Sequence, residues 1–149
     1  MSTATSGSTG VGLRVLSVIM GAFLILMGSN KLAWLMDSGF LTDELQQWLD
    51  IGPVAVSRWY LEQVAIPGAP VFARLVLLGE LSIGAALVCG YRVRLAAAVA
   101  VAMVLNFHFA SGIMFTFGYL TNGYGPPVVG GLLALAMGGT RLPLSVSRN

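Results

Sequence analysis

Four long apolar stretches dominate the chain, and short polar clusters separate them. The clearest stretch covers residues 70–90 and contains one carboxylate, Glu80, near its middle. The others cover residues 11–36, 93–116 and 125–139, of which the last is rather short. Apolar runs of about 20 residues with few charges are typical of membrane-spanning helices. The pattern therefore predicts an all-α integral membrane four-helix bundle at residues 11–139.

Three polar segments lie outside these helices. Residues 1–10 and 140–149 are predicted to be a flexible tail and a polar tail. The loop at residues 37–69 holds two short amphipathic segments that contain Trp48 and Trp59. Two arrangements stay open for these segments, helices lying in the membrane interface or a soluble cap. In either case we expect the loop to cover one mouth of the bundle.

Small residues at helical spacing predict which helix faces pack closely, because lipid supplies little hydrophobic driving force between helices. In the third helix this face includes Asn106, which is therefore expected to point into packed protein. The small residues are Ser17, Gly21 and Gly28 in the first helix, Ser82, Ala86 and Gly90 in the second, and Ala98, Ala102 and Ala110 in the third.

The composition supports a membrane protein and excludes several kinds of chemistry. The chain is 56% hydrophobic and 9% charged, whereas soluble domains carry about 25% charged residues. A net charge of +2 is too small for nucleic-acid binding. One cysteine, Cys89, and one histidine, His108, exclude an internal disulfide, a dithiol relay and a haem held by two histidines. We therefore expect no metal site and no intrinsic cofactor.

The arginines predict the orientation in the membrane. By the positive-inside rule, the loops that carry them are cytoplasmic. Both termini are then expected in the cytoplasm of a cell whose inner (plasma) membrane holds the protein, and the acidic loop at residues 37–69 lies outside. The arginines on the predicted inner side are Arg14, Arg92, Arg94, Arg141 and Arg148.

Polar residues at membrane depth are costly and mark candidate functional sites. Glu80 and Asn106 each lie twelve residues from an arginine, Arg92 or Arg94, of the turn between their helices. At about 1.5 Å per residue both lie roughly 18 Å from that turn. Lys31 lies about 8 Å higher, within reach of its flexible stem. We predict that Lys31 and Glu80 meet, with Asn106 as a third member.

Arg74 and His108 complete the candidate set as residues at the rim of this cluster. A pocket built from these five residues could bind a quinone headgroup, an anion or a proton in transit. The structural alternative is a buried ion pair that binds nothing. For Arg74 the alternative is snorkelling to the interface, and for His108 a simple hydrogen-bonded position. No residue is assigned a catalytic role.

Several short segments occur in an order that resembles the DoxX family of four-helix membrane proteins. The family includes the DoxD-type small subunit of thiosulfate:quinone oxidoreductase. The segments are Gly28-Ser-Asn-Lys31, Ile66-Pro-Gly-Ala-Pro-Val-Phe-Ala73, Gly79-Glu-Leu-Ser-Ile-Gly84, Gly90-Tyr-Arg-Val-Arg-Leu-Ala96 and Asn106-Phe-His-Phe-Ala-Ser-Gly112.

The resemblance implies that Lys31, Glu80 and Asn106 are the family's polar positions and that the chain is a membrane partner of a redox enzyme. The first functional hypothesis is thus a quinone-linked membrane subunit, in contact with lipid and with other membrane subunits. The second is a non-catalytic assembly subunit of a larger membrane complex. The third is a small transporter or proton path. Whether the chain is itself part of an enzyme stays open.

Overall fold

The protein is helical throughout the part that the structure describes. The computed structural model describes residues 4–140 and 142–146, with side chains from residue 10 onward, and no strand occurs among them. The helices are α1 Ala4–Ser29, α2 Gly39–Asp50, α3 Ala55–Tyr60, α4 Ile66–Cys89, α5 Val93–Ala110 and α6 Pro126–Gly138. Short 3-10 turns cover Leu32–Leu35, Ile113–Phe115 and Phe117–Thr121.

Helices α1, α4, α5 and α6 form the predicted all-α membrane bundle. Three apolar stretches are long enough to cross a membrane, Gly10–Ser29, Ala55–Cys89 and Val93–Ala110. The fourth helix, α6, is apolar but has 13 residues and is about 20 Å long. The hydrocarbon core of a bilayer is about 30 Å thick, so α6 by itself is too short to cross it.

The first and third helices differ in length from the sequence prediction. Helix α1 begins at Ala4, inside the predicted tail, and ends at Ser29 instead of near residue 36. Helix α5 ends at Ala110 instead of near residue 116, because Gly112 adopts a left-handed conformation with φ 73°. Residues 1–3 of the predicted tail, and residues 141 and 147–149 at the other end, lie outside the described residues.

The second membrane helix is longer than predicted. A π-helical turn at Leu61–Ala65 joins α3 to α4, so the chain is helical without interruption from residue 55 to residue 89. The sequence prediction began this helix at residue 70. Pro67 and Pro70 lie within the longer helix, although proline removes a hydrogen bond and its ring clashes with the preceding turn. The wider π turn lies directly before Pro67 and lets the helix pass the proline.

Helices α1 and α4 approach closely through small residues, as predicted for α1. A Cβ added at Gly21 would lie 2.6 Å from the carbonyl oxygen of Gly84, so the two backbones are in contact there. The hydroxyl of Ser17 donates a hydrogen bond of 2.7 Å to the carbonyl of Leu87. The predicted stripe in α5 is wrong, because Ala98, Ala102 and Asn106 are exposed. In α4 the prediction is wrong for Ser82, which is exposed, whereas Ala86 packs against the core and Gly90 is buried.

Helix α2 covers one end of the bundle, as predicted for the loop at residues 37–69. We call this the cap end, and we call the opposite end, where Gly90–Arg92 joins α4 to α5, the turn end. The cap is a continuous apolar cluster rather than a loose loop. Its buried members are Trp34, Leu41, Leu45, Leu61, Ala65, Ala69, Ala73 and Ala110.

Candidate functional site

The predicted contact between Lys31 and Glu80 is present and is bidentate. The Lys31 Nζ atom lies 2.9 Å from Glu80 Oε1 and 2.8 Å from Oε2. The Lys31 ammonium also donates to the carbonyl of Met27 at 3.2 Å. The side chains are 18% and 7% exposed, respectively. Each of the three ammonium hydrogens therefore has an acceptor, as a buried charge requires.

The end of α1 explains how Lys31 reaches this position. The helix stops at Ser29, and the backbone N–H of Lys31 bonds to the carbonyl of Gly28 and not to that of Met27, so the Met27 carbonyl is open to another donor. The Lys31 side chain folds back onto that turn and places its ammonium beside the carbonyl of Met27. The indole ring of Trp34 lies 5.6 Å from the same nitrogen, which adds a cation–π contact.

Gly28 allows α4 to bring Glu80 to the end of α1. A Cβ added at Gly28 would lie 3.2 Å from the Glu80 Cβ atom and 3.0 Å from Leu81 Cδ2. A Cβ at this position would make contacts tighter than usual with these two side chains, so they would have to shift by a few tenths of an ångström. Gly28, about one turn before Lys31, therefore favours the close approach that the ion pair uses.

The ion pair forms part of the wall of a cavity of about 460 Å³ at the cap end of the bundle. Its remaining wall is largely aromatic and apolar, with a few polar groups. Such a lining is common in sites for small molecules and cofactors. The aromatic residues are Phe23, Trp34, Trp48, Phe107 and Tyr124, and the other polar residues are Glu44, His108, Ser111 and Asn122.

A second carboxylate, Glu44, lines the same cavity and was missed by the sequence reasoning. It lies on α2, which is outside the membrane-spanning segments, and its side chain is half-buried. Burial raises the pKa of Glu44 above its ordinary value, and the charge of Lys31 lowers it by a smaller amount. A signal was present, because Glu44 lies three residues after Leu41 and four before Trp48, on the apolar face of α2.

His108 also lines this cavity, as expected for a residue at its rim. Its Nδ1 atom lies 3.3 Å from the hydroxyl oxygen of Tyr119, and the two rings meet edge to face with centroids 5.2 Å apart. When the hydroxyl donates to Nδ1, the imidazole hydrogen resides on Nε2. The imidazole then keeps one donor for a ligand.

Asn106 and Arg74 do not join the ion pair, and for Asn106 the predicted contact is wrong. The Asn106 Oδ1 atom accepts a hydrogen bond of 2.8 Å from the hydroxyl of Tyr60, and the side chain is exposed. Asn106 lies on the predicted helix, but its side chain contacts Tyr60 of α3 and does not line the cavity. The Arg74 guanidinium donates to the carbonyl of Pro70 on its own helix.

Comparison with known proteins identifies the family. The DoxX family model matches residues 12–111, which is more than half of the chain. The chain belongs to the DoxX family. No curated protein and no solved structure matches it. The part matched to DoxX includes the residues of the ion pair and Glu44, whereas Tyr124 and Val128, which line the cavity from the α6 side, follow it.

We expect Lys31 and Glu80 in this DoxX protein to be energetically coupled. Lys31→Met or Glu80→Gln alone should lower the free energy of unfolding by about 3 kcal/mol, because the remaining charge loses its partner in a buried site. The double variant should recover part of that loss. Thermal or denaturant unfolding of the four proteins in mild detergent measures the coupling.

The exposed pair of Arg58 and Glu62, with 3.8 Å between its charged atoms, is the matched control for this cycle. Its coupling should be below about 0.5 kcal/mol, as is usual for exposed ion pairs on a helix. Simple additivity of the Lys31 and Glu80 changes would contradict the coupling.

We also expect stability to depend on the ionisation of Glu44. A raised pKa means that the folded protein holds this proton more tightly than the unfolded chain, so ionisation costs stability. Glu44→Gln should match the parent protein in melting temperature below pH 4.5, the ordinary pKa, and should become the more stable protein as the pH rises through the folded-state pKa. Asp43→Asn, an exposed change of equal charge on α2, is the control. A constant difference across the pH range would refute the expectation.

Proposed function

We propose that this DoxX protein is a membrane subunit of a redox system and that its cavity binds the headgroup of a lipid-soluble quinone. The observation that carries this proposal is the composition of the cavity wall. One ammonium and two carboxylates, from Lys31, Glu80 and Glu44, share an aromatic cavity inside a membrane bundle. An ionisable group at membrane depth is expensive to keep and is usually functional.

The cavity wall matches a quinone ring in shape and in hydrogen-bonding character. A quinone headgroup is flat, and aromatic side chains such as Trp48 and Phe107 offer ring faces and edges to pack against it. Its two carbonyl oxygens accept hydrogen bonds. In the wall, His108 keeps one N–H and the side-chain amide of Asn122 carries an NH₂ group that can donate them, whereas the Lys31 hydrogens already have acceptors. A volume of about 460 Å³ is within the usual range for small-molecule sites.

The carboxylates supply the proton chemistry that a quinone needs. Reduction of a quinone to a quinol takes up two electrons and two protons, and oxidation releases them. Glu80 and Glu44 are proton acceptors and donors on the cavity wall, and Glu44 is partly open to solvent at the cap end. Electrons must come from a partner subunit that carries its own cofactor. Among the described residues, no group of three or more His, Cys, Asp or Glu residues could hold a metal ion.

The rim between α1 and α6 is a route for the quinone tail. Tyr124 is exposed, and its ring stacks on that of Phe23 at a centroid distance of 6.0 Å. This pair lies where the cavity wall passes from α1 to the segment before α6. A headgroup held beside Lys31 would direct its hydrocarbon tail past these two rings into the lipid.

The packing below Glu80 argues against a proton path across the whole membrane. Four residues further along α4, Gly84 is in backbone contact with Gly21 of α1. The next turn is sealed by the hydrogen bond between Ser17 and the carbonyl of Leu87, both fully buried. Protons therefore have a route to Glu80 from the cap end, past Glu44, and none along the α1–α4 contact toward the turn end.

The test is binding of a short-chain ubiquinone to the purified protein in mild detergent. Two of the three tryptophans, Trp34 and Trp48, line the cavity, so quenching of tryptophan fluorescence reports occupancy. We expect His108→Gln to weaken binding about tenfold, the effect of losing one hydrogen bond to a polar partner, and Glu80→Gln to weaken it by disturbing the part of the cavity wall that Glu80 forms with Lys31. Arg74→Gln is the matched control, because Arg74 lies outside the cavity, and it should bind like the parent protein.

Melting temperatures of the same variants separate loss of a ligand contact from loss of folding. Equal quenching in the parent protein and in both cavity variants would refute the quinone site. A stoichiometric complex with a partner subunit, purified with the cavity empty and with no quinone affinity, would favour the assembly hypothesis instead.

We further propose that the turn end faces the cytoplasm of a cell whose inner membrane holds the protein. All six acidic residues precede residue 81, and no aspartate or glutamate offsets Arg92 and Arg94 at that end. In a Cys89→Ser background, a cysteine at residue 147 should resist an impermeant thiol reagent applied to cells. A cysteine replacing the exposed Asp50 of the cap should react. The reverse labelling pattern would overturn this orientation.

A further inference from the structure

A groove runs along the outside of the bundle between α4 and α5. Two neighbouring cavities form it, one of about 460 Å³ along the middle of the helices and one of about 300 Å³ next to the turn end. Ser82, Ile83 and Val99 line both cavities, so they form one continuous channel on the lipid-facing surface. The rest of its lining is mostly apolar and includes Leu75, Gly79, Ala86, Leu95, Ala102 and Met103.

Small side chains on the exposed faces of the two helices leave this groove open. Ser82 on α4 and Ala102 on α5 are exposed, so neither helix fills the space between them. The closest approach of α4 is instead to α1, at Gly84 and Gly21. Along α4 the groove extends from Phe72 to Ala86, about 21 Å. Its length and apolar lining suit a single hydrocarbon chain.

The groove ends in a polar pair at the turn end. Tyr91 and Arg92 line it there, and both side chains are exposed. The Arg92 Cζ atom lies 5.8 Å from the centre of the Tyr91 ring. Arg92 has φ 42° and ψ 46°, a left-handed conformation that costs free energy for a residue with a side chain. The chain keeps this strained residue where its guanidinium stands over the mouth of the groove.

Among the described arginines at this end, Arg92 is the one whose guanidinium is left for a ligand. Arg14 donates two hydrogen bonds to the carbonyls of Leu87 and Val88, and Arg94 donates one to the carbonyl of Ala136. The ion pairs among the described residues do not include Arg92. No aspartate or glutamate follows Glu80 in the sequence, so the turn, α5 and α6 contribute no acidic side chain.

We propose that this groove binds one anionic phospholipid, with its phosphate on Arg92 and one acyl chain between α4 and α5. The positive charge at the mouth selects for an anionic headgroup, and the apolar channel holds the chain. Tyr91 packs beside the guanidinium at the level where tyrosine commonly meets lipid headgroups. Of the residues that line the groove, Phe107 also lines the cavity at the cap end, and the proposed lipid site does not depend on a quinone function.

The test is native mass spectrometry of the full chain after reconstitution into vesicles of equal phosphatidylglycerol and phosphatidylcholine and extraction in mild detergent. The parent protein should retain one phosphatidylglycerol in preference to phosphatidylcholine. Arg92→Gln should retain it roughly fivefold less, the expected effect of losing one cation near an anionic lipid. Arg58→Gln, an equal change of charge on an exposed side chain at the cap end, should leave retention unchanged.

A second variant tests the acyl chain without a change of charge. Ser82→Phe places a large side chain inside the groove and should lower retention of the lipid, while the melting temperature shows that the protein is folded. Equal retention of phosphatidylglycerol by the parent protein, Arg92→Gln and Ser82→Phe would overturn the proposal. Retention of both lipids alike by the parent protein, or a lipid-free dimer in which a second copy covers the groove, would also overturn it.

Discussion

The ion pair between Lys31 and Glu80 is the constraint to which the cap half of the bundle conforms. Neither charge could be kept in an apolar bundle without the other, because the desolvation of each costs several kcal/mol. The pair therefore specifies where α1 ends, since only a turn directly after Ser29 brings the ammonium back over the helix. The pair also accounts for the glycine at residue 28, where α4 comes close to α1 and the bidentate contact forms.

The cavity places this ion pair next to other groups that can bind a ligand or exchange protons. A sealed ion pair would be a structural element, but this one shares a wall with a second carboxylate, Glu44, and with His108. When both carboxylates are ionised and the histidine is neutral, the wall carries one negative charge in excess. A proton arriving from the cap end would neutralise that excess. Ligand binding and proton uptake are thus linked in the proposed site through the same few groups.

Much of this arrangement could be predicted from the sequence. The features that could not be predicted were missed for one shared reason, because they depend on how the helices pack. Hydropathy located the helices, and the cost of an unpaired charge predicted that Lys31 and Glu80 would meet. The side-chain direction of Asn106 was predicted wrongly, because it depended on small residues that are present on both faces of α5. The position of Glu44 on the apolar face of α2 was a signal, but the local pattern of a short helix does not specify that α2 docks with this face on the cavity.

The start of the second membrane helix was also predicted incorrectly. The sequence placed it at residue 70, whereas the chain is helical from residue 55 through a π turn whose Leu61 and Ala65 pack in the same apolar cluster as α2. The result is one helical rod of 35 residues, about 52 Å long, from Ala55 to Cys89.

This rod joins the cap, Glu80 and the turn end mechanically. No flexible loop separates Trp59, which is exposed at the cap, from the carboxylate in the membrane. A partner that tilted the cap would act on a lever with the Gly21–Gly84 contact as its fulcrum. Because Lys31 belongs to a different helix, such a tilt would move the two halves of the ion pair relative to one another. A movement of the cap would then change the distance between Lys31 and Glu80 and so the electrostatic interaction between them.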